Sequence, residues 1–235
     1  MELQYTNDLA IKKEHVLGIS RNIRYIAVIN DDSILYCCSA NIIVFLRHSR
    51  QQIFLHQSSS TEQILHIVLC PQKKLLSVAV KDNEAISIII YDVTNSRRKK
   101  ILCQEDHLVY LVGVSFSNDS KQILVLGGKP DYLLTLWTIE KLSKVTARIN
   151  LTTLSSKFLK KADICPFHTN VVCVTGNEVL RIFKIVDNVF RPVTGVYNIL
   201  VNNKLKNTHA KSYKKVPAKG LTEDYFIFHF LLFTT

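Results

Sequence analysis

The sequence predicts an all-β chain built from copies of one four-stranded unit, and three observations carry that prediction. Apolar residues fall in short runs rich in Ile, Val and Leu, separated by polar turns, and few of these runs show the period of a helix. Aromatic residues close such runs at Phe45, Tyr91, Trp137 and Phe183, each 46 residues after the last. A second feature recurs at Leu69-Cys70-Pro71, Phe116-Ser117-Asn118 and Ile164-Cys165-Pro166, spaced 47 and 48 residues. A sandwich has no reason to repeat at constant period. A β-propeller does, because each blade is one copy of a four-stranded sheet.

The elements follow in order. Runs at 23–29, 33–38, 41–46 and 51–55 form the first copy, whose third run Ile42-Ile43-Val44 closes on Phe45. Runs at 64–70, 75–80, 85–92 and 99–103 form the second, closing Ile88-Ile89-Ile90 on Tyr91. The third copy, 108–117, 122–127, 132–139 and 144–151, closes Leu133-Leu134-Thr135-Leu136 on Trp137, with Gly127-Gly128 as a turn at the end of its second run. The fourth, 161–165, 171–175, 179–186 and 189–193, closes Leu180-Arg181-Ile182 on Phe183. Blades therefore occupy residues 15–193, as an incomplete ring of about four. An open fan of this kind leaves one sheet face and one strand edge uncovered.

Composition agrees. The 235 residues carry 30 Lys+Arg against 19 Asp+Glu, a formal charge of +11, and 47% of them are apolar, which excludes wholesale disorder. No stretch reaches the ~20 apolar residues of a membrane helix. The polar start, with Glu2 and Asp8, does not read as a signal peptide, so a soluble intracellular protein is expected. Six cysteines lie in or beside apolar runs without a C-x-x-C pair, and Cys37 and Cys38 fall on opposite faces of one strand, so reduced core thiols are expected.

The third copy carries a resemblance. His107, then Val114-Ser115-Phe116-Ser117-Asn118-Asp119-Ser120-Lys121, then Ile123 to Gly128, then Asp131 and Trp137 resemble the WD-repeat blade pattern. The resemblance implies a structural network linking His107, Asp131 and the Trp137 indole; the alternative is that His107 and Asp131 are ordinary loop residues. The other copies are degenerate, and only Tyr91-Asp92 keeps the acidic residue after the aromatic. Within WD repeats, Ile88 to Asp92 followed by Arg97 to Leu102, the 114–121 run, and Val172-Cys173-Val174-Thr175-Gly176-Asn177 are similar to the cilia- and flagella-associated WD-repeat proteins. That resemblance spans residues 15–193. It implies a non-enzymatic scaffold of the axoneme that supports inner dynein arm assembly and motility. Tubulin and inner dynein arm or regulatory complex components are the partners implied, and the cytoplasm and cilium the location. A general WD-repeat adaptor in another complex, and a truncated isoform with no independent function, stay open beside it.

No nucleotide, hydrolase or zinc motif occurs in the chain, so an enzyme, a cofactor and a metal site are not expected. His48 and His56 approach across a hairpin without a third ligand in view. Charge placement says more. The turns between first and second and between third and fourth strands share one end of a blade. On the second and third copies that end gathers Lys73, Lys74, Arg97, Arg98, Lys99, Lys100 and Lys121, with Lys141 and Lys144 beyond, against Asp92, Asp119 and Glu140. A basic face of this kind steers acidic partners; the competing reading is that these cations only solvate turns. Nucleic acid is a poor candidate, because no aromatics interleave the basic clusters. Residues 194–235 leave the repeat register: six Lys and no acid in 202–220, then the apolar end Tyr225 to Phe233. That tail reads as a last strand, a membrane-touching segment or, as favoured here, sequence outside the ancestral protein.

Overall fold

A computed structural model describes residues 15–20, 25–38, 41–57, 62–82, 85–103, 108–130, 132–139, 144–154, 158–177 and 179–193. Among the described residues sixteen strands form four sheets. Sheet 1 holds β1 (Ile26–Val28), β2 (Ser33–Cys38), β3 (Asn41–Leu46) and β4 (Gln51–Gln57), and sheet 2 holds β5 (Glu62–Leu69), β6 (Leu75–Asp82), β7 (Ala85–Asp92) and β8 (Arg97–Cys103). Sheet 3 holds β9 (Leu111–Phe116), β10 (Gln122–Gly127), β11 (Leu133–Thr138) and β12 (Lys144–Asn150); sheet 4 holds β13 (Leu159–Ile164), β14 (Val171–Gly176), β15 (Val179–Val186) and β16 (Val189–Pro192). Every sheet is an antiparallel meander in chain order. Each of the sixteen apolar runs overlaps one strand, and the four repeat aromatics all lie on third strands. The one helical element among the described residues is the 3-10 turn Thr152–Leu154, far too short to cross a membrane.

The repeat is written into the backbone. The residue two past each aromatic donates its N–H to the turn that precedes the second strand: Arg47 to Asp32 O at 2.8 Å, Val93 to Lys74 O at 2.9 Å, Ile139 to Lys121 O at 2.8 Å, and Ile185 to Asn170 O at 2.7 Å. These donors keep the 46-residue spacing through all four sheets. The turn after the first strand is also copied. Cys70 Sγ accepts from Leu75 N at 3.2 Å, as Ser117 Oγ does from Gln122 N at 2.9 Å, so thiol and hydroxyl fill one role at equivalent positions. Lys73 and Ser120 close those turns at φ of 58° and 59°.

Sheets stack face to face through three apolar clusters. Leu35, Cys37, Ile42 and Val44 of sheet 1 meet Leu76, Val78, Ile89 and Tyr91 of sheet 2. Ile88 and Ile90 meet Val125 and Trp137 of sheet 3, and Leu124, Leu134 and Leu136 meet Val172, Val174 and Phe183 of sheet 4. Tyr91, Trp137 and Phe183 thus each face the preceding sheet. Sheets 2 and 3 are covered on both faces, so β6 is buried from Leu75 through Val80 and β10 from Ile123 through Gly127. That explains runs that are apolar without alternation, as in sheets packed on both sides. Each fully buried Leu or Ile contributes about 1.5–3 kcal/mol. Sheet 4 has a neighbouring sheet on one face only among the described residues, and in β15 only Val179 and Phe183, on that face, are buried. No cluster joins sheet 4 to sheet 1, so among the described residues the array is an open fan.

The two end faces differ. Phe45 is half-buried and lies on the side of sheet 1 away from sheet 2. Residues 15–20 cross that side. Val16 N donates to Gln52 Oε1 at 2.8 Å, Gln52 Nε2 donates to Val16 O at 3.0 Å, and Ser20 N donates to Cys37 O at 2.9 Å. At the other end Cys165 and Cys173 pack together with Val171, Leu180 and Ile182. Burial, helped by the nearby Asp163 carboxylate, pushes the Cys173 thiol up to about 12, so it stays a neutral thiol. Cys37 faces sheet 2, while Cys38 lies on the side crossed by residues 15–20, with its Sγ 3.4 Å from Leu17 O.

Candidate protein-interaction surfaces

The basic residues of sheets 2 and 3 gather at one end of the fan. Lys73 and Lys74 are exposed in the β5–β6 turn, and Lys121 is exposed in the β9–β10 turn. Gln72 Nε2 donates to Asp119 O at 3.3 Å, which ties these two turns into one surface. Arg97 and Arg98 are exposed where β8 begins. They belong to the same end, because Asp92 pairs with both Arg97 and Leu75. Lys99 and Lys100 follow in β8, but their side chains lie outside the described residues. Lys144 is exposed at the start of β12.

The carboxylates at this end are engaged in turn geometry. Asp92 Oδ1 accepts from Thr94 N at 3.0 Å and Asn95 N at 3.1 Å, and Asp119 Oδ1 accepts from Ser117 Oγ at 2.6 Å and Lys121 N at 3.1 Å. Six described cations therefore stand against two carboxylates that are hydrogen-bonded to their own turns. On sheet 1 the same end mixes Asp31 and Asp32 with exposed Arg47 and Arg50. The His48 backbone N–H, then its ring, hold the Asp32 carboxyl below the usual range.

Of the expected blade network, Trp137 is buried in β11 between Ile123 and Val145, whereas His107 and Asp131 lie outside the described residues. Trp137 Nε1 is buried and has no hydrogen-bond partner among the described residues. The two hairpin histidines are separated in role. His48 Nδ1 contacts Asp32 Oδ1, and His56 Nδ1 lies 2.7 Å from Tyr91 OH, joining sheet 1 to sheet 2. Among the described residues no group of three His, Cys, Asp or Glu side chains is placed to hold a metal.

Sequence reading missed a groove across the first strands. In β5, β9 and β13 one residue is bulged out of the pairing: Leu65, Val112 and Lys160, which are 47 and 48 residues apart. The residues just after, His66, Gly113 and Lys161, form a row across three neighbouring strands, and the next same-face row is Val68, Ser115 and Asp163. Both rows line a groove of about 310 Å³. The signal was present in the same register that located the aromatics. It was hidden because Leu, Val and Lys at the bulge share no side-chain chemistry.

Four stacked four-stranded meanders, a hydrogen bond repeated every 46 residues, and converging first strands define the class: a partial β-propeller without a recognisable catalytic constellation among its described residues. Comparison agrees on the fold. The chain superposes with a TM-score of 0.52 on a chain of the complex of KlAtg21 with the coiled-coil of AgAtg16, at 10% identity, covering 69% of this chain and 53% of that one. No family model matches the sequence. The chain is similar to cilia- and flagella-associated protein 57 of Mus musculus, 24% identical over 183 residues, covering 76% of this chain. It is 22% identical over 192 residues, 77% of its length, to cilia- and flagella-associated protein 57 C of Tetrahymena thermophila. Over 110 residues it is 29% identical to cilia- and flagella-associated protein 44 of Mus musculus. The relationship to cilia- and flagella-associated proteins expected from the repeat residues is thus found at low identity, and the chain spans only 14% of the length of the first two relatives.

Proposed function

We propose that this chain is a non-enzymatic propeller module of a ciliary or flagellar scaffold, acting through protein contacts with the axoneme. The observation that carries the reading is the similarity, over three quarters of the chain, to proteins named for cilia and flagella. The repeat architecture supports it, because stacked rigid sheets present turns at fixed positions, which suits a scaffold better than turnover. The basic end of sheets 2 and 3 supplies the contact. Its cations face acidic protein surfaces, of which the acidic tails of tubulin are the nearest fit, and inner dynein arm or regulatory components are the further partners. The WD-type network completes the third blade, with His107 and Asp131 supplying the partner of Trp137 Nε1. Residues 15–193 form the folded module and 194–235 a separate tail.

The face is tested by charge reversal. Arg97→Glu with Arg98→Glu, Lys99→Glu and Lys100→Glu is expected to lower co-sedimentation with polymerised tubulin at least tenfold at 0.1 M salt. These residues sit on an edge strand and its turn, so thermal stability is expected to stay within a few degrees of the parent. Unchanged co-sedimentation of the reversed variant would sink the proposed face. Wild-type binding should also weaken steeply with salt, since exposed charges are screened over about 10 Å at that ionic strength.

A further inference from the structure

We infer that the groove across β5, β9 and β13 is a second binding site, built to take a carboxylate of an extended acidic peptide over the bare backbone of Gly113. The site is separate from the basic end, since it is formed by first strands rather than by turns.

Its construction follows from the repeat. At each of three equivalent positions a bulge precedes the lining residue, and these residues differ in chemistry: an imidazole at 66, no side chain at 113, an ammonium at 161. Gly113 is the floor. A Cβ there would meet only His66 Nε2, at 3.8 Å, so the imidazole stands beside an open peptide unit with room above it. Glycine is not required here by conformation, because no positive φ occurs at this position. Its missing side chain is what keeps the groove open.

The lining is matched to an anion with an apolar stem. Val68, Val112 and Phe116 provide apolar wall, while Lys160 and Lys161 bring two ammonium groups against the single carboxylate of Asp163. Lys161 Nζ holds Asp163 Oδ2 at 3.0 Å, which fixes the one acid of the groove. Two of the lining residues, His66 and Ser115, each carry a buried polar atom, Nδ1 and Oγ, without a hydrogen-bond partner among the described residues. At about 310 Å³ the groove has the size for one or two side chains, at the lower bound of small-molecule pockets. The excess of donors selects a carboxylate over a basic or neutral side chain.

The test uses the full chain and a fluorescein-labelled hexaglutamate peptide, read by anisotropy at 0.15 M salt. Wild type is expected to bind it and to ignore a hexaglycine peptide. Gly113→Val closes the floor and is expected to weaken binding at least tenfold with no loss of melting temperature, because valine suits a strand and the Cβ position is open. His66→Leu is expected to weaken binding several-fold. Lys184→Ala, exposed on β15 and outside both surfaces, is expected to leave binding within twofold. Full binding by Gly113→Val, or no binding by wild type, would overturn the groove site. Loss of binding in Lys73→Ala with Lys74→Ala and Lys121→Ala but not in Gly113→Val would overturn it too, placing the peptide on the basic end. Competition by inorganic phosphate as strong as by glutamate would overturn the carboxylate assignment.

Discussion

Trp137→Ala is expected to destabilise the chain by about 3–5 kcal/mol, as removal of a large buried aromatic does. The indole sits in the cluster that binds sheet 2 to sheet 3, among Ile88, Ile90, Phe116 and Ile123, and it is 8% exposed. Its removal opens a cavity at the middle interface, where sheets on both sides depend on it. Trp137→Phe separates packing from hydrogen bonding. It keeps an aromatic ring in place but deletes Nε1–H, which is buried and lacks a partner among the described residues. If His107 and Asp131 complete the network, the phenylalanine variant loses about 1–3 kcal/mol, and His107→Ala adds little on top of it. Urea unfolding measures both, with the midpoint moving and the slope constant. A neutral Trp137→Phe, additive with His107→Ala, would remove the network and leave the core argument standing.

The second large effect is expected at Gly176, which ends β14. A Cβ there would lie 2.3 Å from Phe158 O, 2.9 Å from Leu159 Cα and 3.0 Å from Phe158 C. All three are backbone atoms, so no side chain can swing aside. The same carbonyl accepts from Asn177 N at 2.8 Å, and Gly176 pairs with Leu159 across the sheet. Gly176→Ala must therefore push β13 from β14 at the edge of the last interface. Overpacking of this kind costs about 1–3 kcal/mol, and losing the Asn177 hydrogen bond adds about 1 kcal/mol. Gly113→Ala is the internal contrast, meeting only His66 Nε2 at 3.8 Å. It is expected to be neutral or to stabilise by about 0.5–1 kcal/mol, since glycine in a strand loses more freedom on folding. Thermal melts of the two variants should move in opposite directions. Equal shifts would show that the glycines are not distinguished by their backbone surroundings.

Much of the architecture was legible because propeller blades repeat what they need. Each third strand must end in a bulky side chain that fills the gap to the preceding sheet, so Tyr91, Trp137 and Phe183 kept both size and register. Phe45 kept the register too, although it faces away from sheet 2 and lies half-buried on the side that residues 15–20 cross. Turns were less legible. Cys70 and Ser117 perform one hydrogen-bonding task with different atoms, and no similarity of residue type announces it. The groove was least legible. A β-bulge is a feature of pairing, and Leu65, Val112 and Lys160 look unrelated until the strands are laid side by side. Among the basic residues, Lys73 and Lys74 lie beside Lys121 because Gln72 links their two turns across 47 positions, a contact that no local pattern encodes.

The resemblance to ciliary proteins and the stacked-sheet fold make separate statements, and only the first concerns where the chain works. A propeller alone is compatible with many assemblies, since function resides in grafted surfaces rather than in the fold. The most direct measurement is therefore the location of the full chain, carrying a small C-terminal tag, in ciliated cells before and after detergent extraction. The scaffold reading predicts signal along the cilium that survives extraction with the microtubule doublets. Signal confined to the cell body, or lost from cilia together with soluble protein, would contradict it.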